Sequence, residues 1–168
     1  MPRVLVVAAA LSIAAAVAIM VWQQMGKEEG NSVALVLGRS SLIDDVRAHL
    51  KGYRIIVIEG SEADTLRSKI CRILFQWEEV SLPIVILVDG HSLRGVIIGL
   101  PSDALWKRVV EYMTSNTTPF LAYSGPEEVF EGIKCYQCPP HGSIEEVVPI
   151  PNDKAERILG ITEEVLQP

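Results

Sequence analysis

Cys135 and Cys138, in the run Cys135-Tyr136-Gln137-Cys138-Pro139-Pro140-His141-Gly142, have the residue type and spacing best suited to chemistry in this chain. A thiol pair this close can close a short disulfide loop, and its reactivity depends on how readily one sulfur ionises. Lys134 and His141 are near enough in sequence to tune the pair. Pro139 and Pro140 prevent an ordinary helix from following, so a helix dipole cannot activate a thiolate there. Four readings stand open. The pair is a structural disulfide pinning a loop outside the cytoplasm, a redox-active dithiol that exchanges electrons with a partner, a metal half-site using Cys135, Cys138 and His141, or two inert thiols. The metal reading lacks the second cysteine pair that makes a zinc signal strong, and haem attachment is disfavoured because His141 does not directly follow Cys138. No cofactor and no resident metal is called for.

The remaining candidates have ordinary structural readings. Cys71 lies off the main apolar stripe of its segment but four residues before Phe75, which suits burial as a small hydrophobe better than pairing with the distant thiols. His49 falls late in a predicted helix, where a cation suits the dipole and a solvated end is expected. His91 falls in a turn beside Asp89. Asn116-Thr117-Thr118 fits a glycosylation sequon, with Pro119 after it. No phosphate-binding glycine loop, paired catalytic carboxylates or HExxH occurs.

These residues need a scaffold, and 168 residues suit one compact domain with attachments. The formal charge of −6, without any cluster of Lys or Arg, argues against nucleic acid as a partner. Residues 4–22 hold Ser12 as their one polar residue and as a helix would extend about 28 Å, enough to cross a bilayer core. Trp22 suits the headgroup boundary. Arg3 precedes the run, whereas Lys27 is followed by Glu28 and Glu29, so the amino terminus is expected in the cytoplasm and the rest outside. A cleaved secretory signal, cut near Ala14-Ala15-Ala16 or Ala16-Val17-Ala18, is the competing reading, although the apolar run continues past both sites. Either one exports the domain. The expected organisation is an anchor or signal peptide at 1–25, a flexible linker at 26–32, a folded unit at 33–115 and an extension at 116–168 that carries the cysteine pair.

The folded unit reads as strands alternating with helices. Residues 33–37 are a continuous apolar run of the kind that fills a strand covered on both faces, ended by Gly38. Ser41 can cap a helix whose Leu42, Ile43, Val46 and Leu50 form one stripe, and Gly52 stops it. A second strand follows at 53–58. Ser61 can cap the next helix, with Leu66, Ile70, Ile73, Leu74 and Trp77 on one face. Two successive strand–helix units imply a parallel pair. Strands at 84–88 and 96–98 flank a turn at Asp89-Gly90, and Ser102 opens a helix with Leu105, Trp106, Val109, Val110 and Met113 on its stripe. Beyond it the pattern predicts a strand at 120–123, a short 127–130 stretch, an edge strand or extended segment at 147–151, and a closing helix capped by Asp153.

The order β-α-β-α-β-β-α over residues 33–113 resembles the thioredoxin and glutaredoxin fold, a three-layer α/β sandwich. Pro83 stands where that family has a cis-proline, directly before the third strand, and Gly99 where it often closes the fourth. The resemblance implies a peptide-binding surface around Leu82 and Pro83, completed by Arg39 and Ser40 at the first strand–helix junction. That junction departs from the family: it reads Gly38-Arg39-Ser40-Ser41-Leu42, without the usual Cys-x-x-Cys. A serine hydroxyl cannot exchange disulfides, and no base pattern activates Ser40 or Ser41, so helix capping is their expected role. Two functions follow for a single-pass, outward-facing membrane protein with a protein partner. In one, Cys135 or Cys138 handles thiol–disulfide exchange beside the Pro83 surface. In the other, the fold is a non-catalytic interaction module or accessory subunit, and the pair is a structural disulfide.

Overall fold

The computed structural model describes residues 30–38, 41–78, 81–132 and 142–167. The predicted anchor, the junction residues Arg39 and Ser40, and the pair Cys135 and Cys138 with His141 lie outside the described residues. Asn31–Pro168 forms one compact unit. Among the described residues no helix is long and apolar enough to cross a membrane.

The unit is an α/β fold on a six-stranded mixed sheet. In chain order it comprises β1 (Ser32–Leu37), α1 (Ser41–His49), β2 (Arg54–Ile58), α2 (Gly60–Phe75), β3 (Ile84–Asp89), β4 (Ser92–Gly99), α3 (Asp103–Ser115), β5 (Phe120–Pro126), the single turn α4 (Glu127–Phe130), β6 (Ser143–Pro149) and α5 (Asn152–Leu166). The sheet order is β2-β1-β3-β4-β5-β6. β1 pairs parallel with β2 from Val33↔Arg54 to Leu37↔Ile58, as two strand–helix units require. β3 runs antiparallel to both β1 and β4, β5 runs parallel to β4, and β6 closes the far edge antiparallel to β5.

Alternation along the strands divides the core between the two faces. Leu35, Leu37, Ile86, Ile98 and Tyr123 pack against α2 and α5, while Ala34, Val36, Leu87, Ile97 and Phe120 pack against α1 and α3. Apolar side chains on both faces leave no solvated side to β1 or β3, so helices must cover each. Cys71 is buried in the first of these cores together with Phe75, the burial expected of it.

Several local expectations need correction. The strand expected at 96–98 runs from Ser92 because a bulge between Leu87 and Val88 absorbs the interruption: Leu87 pairs with Gly95 and Val88 with Leu93, leaving Arg94 as the extra residue. Ser61 does not cap α2; Glu59 is the N-cap, without a side-chain bond, because Gly60 at φ +72° turns the chain into the helix two residues earlier. Asp153 likewise sits inside the first turn of α5, since Pro151 with its preset φ occupies the cap position. Val110 is 39% exposed, because α3 meets the sheet on a narrower face of Leu105, Trp106 and Val109. His49 is no solvated end: its ring stacks on Trp106 with centroids 4.9 Å apart and planes 7° apart. Ser102 caps α3 as expected, its Oγ accepting from Leu105 N at 3.3 Å.

The β4–β5 pairing depends on a missing side chain. Gly95 faces Phe120 in register, and a Cβ at Gly95 would lie 2.4 Å from the Phe120 ring. Gly95→Ala is expected to destabilise the fold by about 1–3 kcal/mol through overpacking, read as a lower urea midpoint with an unchanged m-value.

Candidate functional site

The parallel strands β1, β2, β4 and β5 all end on one side of the sheet, and the chain leaves them there in different directions. Such a divergence opens a crevice at the carboxyl ends of strands. Here it is a cavity of about 890 Å³, lined among others by Gly38 after β1, Glu59 after β2, Leu100 after β4, and Ser124, Gly125 and Pro126 at the end of β5. Leu82 and Pro83 enter β3 from the same side, and Ser143 opens β6 there.

Each wall is held by a specific contact. Gly38 has φ +112°, and its N–H donates to Ile58 O at 3.1 Å, tying the exit of β1 to that of β2. A Cβ on Gly38 would meet Arg67 Nη1 at 2.4 Å, so the guanidinium of α2 lies directly over this glycine and beside Pro83. Arg67 is only 13% exposed, pairs with the exposed Asp64, and keeps a buried Nε with no hydrogen-bond partner among the described residues. A largely buried cation therefore forms the floor, with the carboxylates of Asp64 and Glu59 on the wall. Gly99, at φ +91°, donates its N–H to Pro83 O at 2.9 Å; a side chain there would collide with Ser124 O. Tyr123 donates its hydroxyl to Pro126 O at 2.6 Å.

Glu145 of β6 secures the remaining wall. Its carboxylate accepts from Ser102 N at 2.9 Å, Ser102 Oγ at 2.6 Å and Ser124 Oγ at 3.3 Å. Arg108 Nη2 stands 4.0 Å from the same carboxylate and donates to Glu145 O at 3.0 Å. One carboxylate thus joins the start of α3, the end of β5 and the edge strand. Desolvation raises its pKa, but the Ser102 bonds, the Ser124 bond and the Arg108 charge outweigh it, and the net displacement is below the ordinary 4.5.

The opposite end of the sheet is also polar, and there Asp89 Oδ1 and Arg94 Nη1 are buried without a hydrogen-bond partner among the described residues. Tyr53 donates its hydroxyl to Asp89 Oδ2 at 3.1 Å, and burial, followed by the Asp89 charge and this bond, pushes the phenol well above its usual range. Arg94, displaced by the bulge, donates to Met113 O and to Asn116 O, closing the carboxyl end of α3. These groups act as a staple between elements.

The expected site residues divide accordingly. Leu82 and Pro83 line the cavity. The Leu82–Pro83 bond is not the expected cis-proline, since the described residues contain no cis peptide. Arg39 and Ser40 directly follow the lining residue Gly38 in sequence, while Cys135 and Cys138 fall in the segment that ends before Gly142. No cysteine or histidine is among the described lining residues, and no group of His, Cys, Asp or Glu among the described residues could hold a metal. Sequence reasoning missed Arg67, Asp64 and Glu145. The first two had a faint signal, polar positions three apart in the first turns of an otherwise amphipathic helix; Glu145 had none, because its partners are 21 and 43 residues away.

Set against protein-family models, curated proteins and solved structures, the chain matches none of them.

The lowered pKa of Glu145 fixes a pH dependence. Its stabilising contribution is fully present above pH 4.5, where the unfolded side chain is ionised, and is lost as pH falls through the lower folded-state value. Glu145→Gln is expected to unfold at lower urea concentration than the parent at pH 7 and to show a shallower loss of stability on acidification. Equal pH slopes in the two proteins would contradict this assignment.

Proposed function

We propose that this chain is a membrane-anchored, outward-facing module of thioredoxin-like fold that binds a partner polypeptide without turning it over. The single observation that carries the binding reading is the cavity of about 890 Å³ between Gly38, Pro83 and Leu100, in which Leu82, Pro83, Leu100 and Pro126 stand beside serines and the charged Glu59, Asp64 and Arg67. Leu100 is 61% exposed at its rim, an apolar anchor without a described cover. An extended segment would lay its side chains against Leu82, Leu100 and Pro126, and its polar groups would meet Ser124, Ser143 and the Arg67–Asp64 pair.

The fold proposal draws support from the strand order β2-β1-β3-β4, the directions of those strands, and the division of α1 and α3 from α2 between the two faces. Against the family pattern stand the non-cis Leu82–Pro83 bond and the cysteine-free junction. The additional β5, β6 and α5 continue the same sheet and core. The anchor proposal rests on the apolar run at 4–22.

Thiol–disulfide exchange is kept as a second reading on one observation. Ser143 lines the cavity, and Cys138 stands five positions before it, so at most about 18 Å of extended chain separates them. In that reading a Cys135 or Cys138 thiolate attacks a partner disulfide, forming a mixed disulfide that the second thiol resolves as the partner is reduced.

Redox titration of the full chain, with Cys135→Ser as control, separates the two. The binding module is expected to keep its pair oxidised below about −300 mV, as structural disulfides do, whereas a midpoint between about −120 and −270 mV would overturn it in favour of exchange. Binding itself is tested with a reduced, carboxymethylated unfolded polypeptide as probe. Leu100→Glu is expected to weaken capture tenfold or more and Val110→Glu to leave it unchanged; equal capture by all three proteins would overturn the cavity as the binding site.

A further inference from the structure

The two edges of the sheet are built differently. β6 bears Glu145 and Glu146 and ends on Pro149, so an approaching copy of the same strand would meet like charge and a missing N–H. β2, at the other edge, reads Arg-Ile-Ile-Val-Ile, contains no proline, and pairs with β1 over five consecutive residues without a bulge. All five of its side chains are exposed or half-buried, with Val57 37% exposed, whereas Ala34 to Leu37 of the neighbouring β1 are fully buried. Among the described elements only β1 pairs with β2, which leaves its outer backbone groups as a template for another strand.

We infer that β2 is the interface of a homodimer, in which two copies pair antiparallel across a twofold axis into one continuous twelve-stranded sheet. The occupant is a second copy because this edge is complementary to itself. A twofold axis normal to the sheet keeps each face continuous, so the strand must pair about a central residue, and the middle residue of β2 is Ile56. Ile56 then meets Ile56 and Ile55 meets Val57, so the three central positions find apolar partners, while Ile58 lies against the aliphatic stem of Arg54. Arg54 at one end of the ladder lies one position from Glu59 of the other copy, so opposite charges stand at each terminus, on opposite faces of the sheet. The same operation about the middle of β6 would set Glu146 against Glu146. Ile56 and Ile58 belong to the α2 and α5 face, Tyr53 and Ile55 to the α1 and α3 face, so pairing would continue both cores across the axis.

The interface is one strand wide, which places it among the smaller associations and predicts a concentration-dependent dimer. The test is sedimentation equilibrium of the full chain in neutral detergent from about 1 to about 100 µM, with hydrogen exchange of the β2 amides at both ends of that range. The expected result is a monomer–dimer equilibrium, more than tenfold weakened by Val57→Lys and unaltered by Val110→Lys, with amides of residues 54–58 gaining protection as concentration rises. Val57 and Val110 are both exposed, so neither lysine is buried on folding. A monomer across the whole range overturns the inference, and one whose β2 amides are protected at every concentration does so by pointing to the chain's own remaining residues on that edge. Association weakened equally by both lysines overturns it in favour of unspecific apolar contact.

Discussion

Strand β1 meets no solvent from Ala34 to Leu37: β2 and β3 take its two backbone edges, and helices take both of its faces. Buried backbone groups must be paired and buried apolar side chains must be packed, so most other elements follow from satisfying this one strand. α1 returns the chain over one face to place β2 alongside, and α2 then returns over the other. The hairpin of β3 and β4 closes the second edge, and β5 and β6 extend the same sheet with α5 packed beside α2.

The cavity is a by-product of that arrangement. Four strands end on one side while their connections diverge, and the space between them is kept from collapse by a few fixed contacts. Gly38 allows the Arg67 guanidinium to lie against the backbone, Gly99 allows β4 to turn away beside Ser124, and Glu145 draws three elements together at the rim. The guanidinium sits where water reaches little of it, with its counter-charge on the more exposed Asp64. Its Nε is buried without a hydrogen-bond partner among the described residues, in a cavity that Leu82, Pro83 and Leu100 also line. At the far end of the sheet Tyr53 bonds Asp89 and Arg94 bonds the end of α3, although Asp89 Oδ1 and Arg94 Nη1 are, like Arg67 Nε, buried without a hydrogen-bond partner among the described residues.

Much of the fold was legible because its signals are local. The apolar run at 33–37, the stripes of α1, α2 and α3, the turn at Asp89-Gly90 and the cap at Ser102 depend on residues within a few positions of one another. Two of the misplaced caps share a cause: a neighbouring residue with a stronger backbone preference displaced the expected one. Gly60 displaced Ser61 and Pro151 displaced Asp153, whereas a bulge at Arg94 let β4 begin four residues before the expected strand. The candidate site was legible only at Leu82 and Pro83, which carry strand punctuation. Arg67 and Glu145 were not, because what distinguishes them is a contact with residues distant in sequence.

The amino-acid sequence by itself determined the element types, the burial of β1, the absence of sulfur from the first strand–helix junction, and the apolar run at 4–22, because each is a matter of residue type and period. Tertiary structure alone decided that β5 and β6 join the sheet, that His49 stacks on Trp106, that Glu145 binds two serines, and that the apolar β2 lies at an edge. These depend on which segments become neighbours, and strand order is set by the combined burial of all the faces, which no local stretch of residues encodes.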